Sequence, residues 1–143
     1  MFDIPIKQAM ERRKVLKTAP DTPILKVAKL MAKRNAGAAM VLVEDRLVGI
    51  VTERDIVFRV VAPRRDPTTT LVSEVMTPNP RTIGPNQPLG QALLIMHDNG
   101  FRHLPVLESG RLVGVVSARS AMDPDLEEFS VEANRRERYS VAQ

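Results

Sequence analysis

Arg46-Leu47-Val48-Gly49-Ile50-Val51-Thr52-Glu53-Arg54-Asp55 returns as Arg111-Leu112-Val113-Gly114-Val115-Val116-Ser117-Ala118-Arg119-Ser120, sixty-five positions later and without a gap. The same offset pairs Pro20 with Pro85, Pro23 with Pro88, Met31 with Met96, Val41 with Val106 and Leu42 with Leu107. A fixed internal period marks a supersecondary unit that does not bury its apolar face alone. Two copies are therefore expected to pack face to face, with function between them.

Each copy spells out the same elements. Thr22 reads as an N-cap and Pro23 as a first helical residue, with Ile24, Val27, Ala28 and Met31 on one stripe of a helix over 22–35. Its counterpart has Asn86 or Gln87 near the cap, Pro88 near the start, Leu89, Ala92, Leu93 and Met96 on one stripe, and Gly100 as the stop. Two apolar runs follow each helix, 39–43 then 47–51 and 104–107 then 112–116. Glu44-Asp45 and Ser109-Gly110 separate them as hairpin turns. A helix over 53–61, and a shorter one over 118–122, closes each unit. Short strands at 15–18 and 81–83 open them, so the unit reads β-α-β-β-α. Ala62 to Thr70 is a polar linker, Val72 to Met76 a short helix, and Ile6 to Met10 its counterpart before the first unit. Asp123-Pro124-Asp125 starts a C-terminal helix carrying Leu126, Phe129 and Ala133. The expected division is a lead-in helix at 1–14, a first repeat at 15–62, a linker with short helix at 63–79, a second repeat at 80–125 and a helical tail at 126–143.

Composition narrows the function. The chain has 143 residues, 43% of them hydrophobic, which is enough for one core or two intimately packed halves. Without cysteine there is neither a disulfide nor a thiolate metal site, in keeping with a cytoplasmic protein. No apolar run approaches the roughly 20 residues that span a bilayer, and the first residues do not read as a signal peptide. The net charge is +4, with basic groups at Arg12-Arg13-Lys14, Arg64-Arg65 and Arg135-Arg136 with Arg138 rather than along one helix. With four Phe and one Tyr, the stacking groups that accompany nucleic-acid binding are sparse, so a basic nucleic-acid module is the weaker reading.

Chemistry concentrates where the repeated strand meets its helix. Thr52-x-x-Asp55 reads as a capping box, the hydroxyl taking one free N–H and the carboxylate another. The same geometry suits a nucleotide, because free N–H groups and the helix dipole attract phosphate while a carboxylate holds ribose hydroxyls. Gly49 would keep the approach open.

These features together resemble the CBS domain family, and residues 15 to 125 resemble one tandem CBS pair, or Bateman module. Gly49-Ile50-Val51-Thr52-Glu53-Arg54-Asp55 matches the family motif of glycine, hydrophobic, any residue, Thr or Ser, two residues, then Asp. The resemblance implies an α+β fold of two pseudo-symmetric repeats packed sheet to sheet, with a C-terminal helix. It implies that Thr52 meets phosphate and Asp55 ribose, with Arg54 either on phosphate or in a helix-surface ion pair. Adenine would lie against Lys17, Thr18, Gly37, Ala38, Ala39 and Met40 of the same repeat, where the small Gly37, Ala38 and Ala39 equally suit tight β packing. In the second copy Ser120 replaces the Asp, so Ser117, Arg119 and Ser120, with Ile83, Leu104 and Pro105, form a weaker site. Arg102 and His103 precede the Leu-Pro-Val strand and could cross to phosphates in the first repeat, or lie on a solvated edge.

The resemblance implies a regulatory module that binds AMP, ADP, ATP or NAD, forms a homodimer and acts on a separate effector protein. A ligand-free dimerisation module is the alternative. No nucleophile has a paired base, no acid/base dyad is visible, and neither His97 nor His103 has a metal-ligand neighbour, so neither an enzyme nor a metal site is expected.

Overall fold

A computed structural model describes residues 2–13 and 15–121; Met122 and the tail helix expected over 126–143 lie outside them. The elements run β1 (Lys17–Thr18), α1 (Ile24–Arg34), β2 (Ala38–Val43), β3 (Arg46–Thr52), α2 (Glu53–Ile56), α3 (Val72–Val75), β4 (Thr77–Pro78), α4 (Leu89–Asn99), β5 (His103–Glu108) and β6 (Arg111–Ser117), and residues 118–121 turn into helix. The architecture is the expected α+β duplication.

Continuous apolar runs form the hairpins, with consecutive residues buried at 38–41 and 49–51, and their turns fix the register. Glu44 and Asp45 have φ of 49° and 64°, and Ser109 and Gly110 have 51° and 78°, the paired positive values of a turn whose twist matches antiparallel strands. Both hairpins slip register at the same place, between Val41 and Leu42 and between Val106 and Leu107. In the first sheet the order is β1-β2-β3-β4. In the second, the outer strands shrink to single bridges, Ile83 parallel to Val106 and Glu11 antiparallel to Val115. The opening strand expected over 81–83 is thus one bridged residue.

The helices bury the stripes the spacing predicts: Ile24, Val27 and Met31 on α1, and Leu89, Ala92 and Met96 on α4. Their starts differ from expectation. Pro23 and Pro88 are the N-caps, extended at ψ of 142° and 143°, and no side chain caps either helix. Backbone from elsewhere does so. Ile24 and Leu25 donate to the Thr70 and Pro67 carbonyls at 2.9 and 3.0 Å, while Leu89 and Gly90 donate to Ile4 and Phe2 at 2.8 and 3.0 Å. Asn35, in the left-handed conformation at φ 51°, ends α1 as Gly100 ends α4.

Those caps reveal an exchange. The lead-in segment, a 3-10 turn at Ile6–Gln8, buries Ile6 and Ala9 among Ile83, Leu89, Ala92, Leu104 and Val116, the core of the second repeat. Val72 and Val75 of α3 are buried among Leu16, Ile24, Val27, Val41 and Val51, the core of the first. A third cluster of Ala38, Met40, Ile50 and Val115 joins the sheets face to face.

Gly49 and Gly114 serve this exchange, and the open approach expected at Gly49 is filled by protein. A Cβ on Gly49 would meet the Met76 thioether; one on Gly114 would lie 2.7 Å from the Met10 sulfur and 2.8 Å from the Glu11 carbonyl oxygen. The helix expected over 53–61 also changes character: α2 passes into a π turn at Val57–Val61, where Arg59 donates to the Val75 carbonyl at 3.1 Å. Finally, Lys26, Lys29 and Lys33 share one exposed face of α1, a basic stripe along a helix that reading adjacent charges passes over.

Gly114→Ala should destabilise the fold by about 1–3 kcal/mol in urea unfolding, because the Glu11 backbone cannot move without breaking its bridge to Val115. Gly49→Ala should cost less, since a flexible methionine end is its closest obstacle and can swing away.

Candidate functional site

Both strand-to-helix turns are capping boxes. In the first repeat the Asp55 N–H donates to Thr52 Oγ1 at 3.2 Å, and Asp55 Oδ2 accepts from the Thr52 N–H at 2.9 Å and the Thr52 hydroxyl at 3.0 Å. In the second the Ser120 N–H donates to Ser117 Oγ at 2.9 Å, and Ser120 Oγ accepts from the Ser117 N–H at 2.9 Å. Serine therefore reproduces the cap without the carboxylate. What the two repeats do not share is charge. The Asp55 carboxylate is buried and turned into its own box, with Arg59 at 3.7 Å.

Between the repeats lies a cavity of about 770 Å³. One wall is apolar and comes from the first repeat: Val15, Leu16, Ala38 and Met40, with Ala28, Met31 and Ala32 of α1. Facing it are Ser117, Ala118, Arg119 and Ser120, the start of the second repeat's closing helix. Arg102, His103 and Arg34 add basic groups, and Glu11 and Glu53 add carboxylates. An apolar slot opposite hydroxyls, guanidinium groups and a helix start suits a ligand with a flat apolar part and an anionic part.

The arrangement crosses the repeats. Gly37, Ala38 and Met40 line the cavity, but Lys17 and Thr18 stand outside its lining, and Ala39 points the other way into the core beneath α1. Strand alternation explains the split, since residues 38 and 40 face one side and 39 the other. Thr52, Arg54 and Asp55, expected beside those residues, are not part of this wall; Glu53, Ile56 and Val57 represent their turn. Arg54 instead stacks 4.7 Å over the Phe58 ring. Ser117, Arg119 and Ser120 occupy the wall, while Ile83 and Leu104 lie in the second repeat's core and Pro105 is buried beside them. Arg102 and His103 reach the cavity.

Sequence reasoning did not single out Val15, Leu16, Glu11 or Glu53 as cavity residues. Glu53 carried a signal: its partner at the repeat offset is Ala118, so one helix start brings a carboxylate and the other none. His103 packs against Gly37, where an added Cβ would lie 3.0 Å from its Nε2 and 3.5 Å from a Glu53 carboxylate oxygen. Burial pushes the His103 imidazole below its ordinary range; Glu53 pulls it up and Arg102 pushes it further down.

Comparison with known proteins matches the fold. The family model described as CBS domain matches residues 6–62 and 72–124. A CBS domain-containing protein of Arabidopsis thaliana is 46% identical over 104 residues, covering 72% of this chain and 19% of the relative, so the chain spans about a fifth of that protein's length. A solved putative signal-transduction protein with CBS domains from Burkholderia ambifaria superposes with a TM-score of 0.82 at 30% identity, over 87% of this chain and 95% of its own. A CBS domain protein of Pyrobaculum aerophilum complexed with AMP superposes at 0.75 and 30% identity, over 82% and 89%. Among the described residues no helix is long and apolar enough to cross a membrane.

Because charging His103 is disfavoured in the folded state, its contribution to stability is full above the ordinary value of 6.5 and declines as pH falls through it. Unfolding free energy measured in urea should drop as pH falls through the ordinary value of 6.5. His103→Gln should flatten that slope.

Proposed function

The chain belongs to the CBS domain family as a tandem pair, and on that premise we propose that it is a regulatory module whose cavity between the repeats binds an adenine nucleotide. One observation carries the reading. A single cavity sets an apolar slot from the first repeat, Val15, Leu16, Ala38 and Met40, against the hydroxyl and basic groups of the second, Ser117, Arg119 and Arg102. Adenine lies in the slot, where flat apolar surface is buried, and phosphate meets both arginines and the Ser117 hydroxyl at the positive end of the helix at 118–121. AMP, ADP, ATP and NAD share these parts, and the AMP complex of the Pyrobaculum relative supports the class.

The asymmetry of the repeats favours this end for phosphate. Glu53 and Asp55 place two carboxylates at the first helix start, whereas the second start has Ala118 and Ser120 in their places. An anion is repelled from the first and not from the second. The box takes Asp55 Oδ2, which leaves only Oδ1, 3.7 Å from Arg59, for a ribose contact. Through this site the module acts on an effector protein by changing the relation of its two repeats.

Self-association as a homodimer is part of the proposal. Val57, Phe58 and Val61 stand exposed on the π turn, with Phe58 at 57% and Val61 at 65%. An exposed apolar group of this kind on a helical face is characteristic of an interface.

Titration calorimetry with AMP, ATP and NAD should show saturable binding of at least one. Arg102→Ala and Arg119→Ala should each weaken it roughly tenfold or more, the worth of a charge-assisted hydrogen bond. Asp55→Asn should leave affinity unchanged; a tenfold loss there would return the ribose to Asp55. Heat from none of the three nucleotides would overturn the reading in favour of a ligand-free dimerisation module. In sedimentation, Phe58→Glu should shift the protein to monomer.

A further inference from the structure

On the outer face of α1, Leu25 and Leu30 floor a groove of about 400 Å³ rimmed by Lys26, Lys29 and Lys33. All three lysines are exposed, and among the described residues none is in an ion pair. The repeat supplies an internal control for whether such a face is merely solvated helix. At the corresponding positions of α4 the lysines are Gln91, Leu94 and Asp98, so the stripe is peculiar to the first repeat and is not needed by the fold.

Its complement is in the same chain. Residues 123–129, outside the described part, read Asp-Pro-Asp-Leu-Glu-Glu-Phe, placing Asp123, Asp125, Glu127 and Glu128 around Leu126 and Phe129. Four of the chain's seventeen acidic residues fall in those six positions from 123 to 128. The path is short. The described chain ends at Ala121, and Ser120 faces Ala28, Met31 and Ala32 of the same helix α1 across the cavity. An α-helix is about 10 Å across with its side chains, and the eight residues from Ala121 to Phe129 reach about 26 Å when extended.

We propose that residues 123–129 dock in cis on the Lys26-Lys29-Lys33 groove of α1, with Leu126 and Phe129 on the leucine floor and the carboxylates on the ammonium rim. The docked segment would run along the helix that walls the cavity, joining the tail to the first repeat. This goes beyond the nucleotide reading and does not depend on it.

Hydrogen exchange of the full-length protein without nucleotide tests the docking. Lys29→Glu with Lys33→Glu should speed exchange in peptides covering 123–129 about tenfold at low salt. Adding Glu127→Lys with Glu128→Lys should restore protection. All four positions are charged surface or tail groups, and an unchanged melting temperature would show that the fold is intact. Exchange at 123–129 that ignores the lysine reversal overturns the proposal. So does carbodiimide cross-linking of an isotopically mixed sample that joins these lysines to 123–129 of a different molecule. Binding of a polynucleotide to the lysine face of the wild-type protein, without displacing 123–129, would likewise assign the groove to another polyanion and overturn it.

Discussion

The fold depends on free helix N–H groups being met by backbone from the other side of the chain. Neither α1 nor α4 has a side-chain cap, and a buried helix start without partners is costly. Thr70 and Pro67 close α1, and Ile4 and Phe2 close α4. The same two segments then place Val72 and Val75 in one core and Ile6 and Ala9 in the other. Capping and core closure are thus one event in each half. Gly49 and Gly114 are its steric counterpart, the positions where the arriving Met76 and Met10 leave no room for a Cβ.

On this shared frame the halves differ by charge. Ser120 and Asp55 hold the same capping geometry, so the substitution left the architecture alone. It removed a carboxylate from the helix start that faces the cavity, while Glu53, where the second repeat has Ala118, keeps one on the opposite side. A cavity with duplicated walls has become electrostatically polar. Arg102, Arg119 and the helix at 118–121 make one end attractive to anions, and His103 sits where burial and Glu53 oppose each other.

Much of the architecture was legible because it is local. Short apolar runs flanking Glu44-Asp45 and Ser109-Gly110 specify hairpins, and the stripe of Ile24, Val27 and Met31 specifies α1. The exchange of lead-in segments was not legible: Ile6 with Ala9 and Val72 with Val75 have the same apolar spacing, so either pair suits either core. The grouping of side chains around the cavity was hidden for the same reason. Once two repeats pack about a pseudo-twofold, the slot of one meets the helix start of the other, and Ala38 and Met40 face Ser117 to Ser120 rather than Thr52 and Asp55. Ala39 was lost to strand alternation, and the lysine stripe on α1 was hidden because charges three and four apart are neighbours only on a helix.

The exchanged segments also say what the chain would be if it were cut in two. Two identical single repeats meeting about a true twofold axis would each lend an arm to the other, as domain-swapped partners do. Joining the end of one to the start of the next changes none of those contacts. The polar stretch 62–70 is such a join, so this chain has the form of an arm-exchanged dimer fused into one polypeptide. Once fused, its two arms no longer had to remain identical.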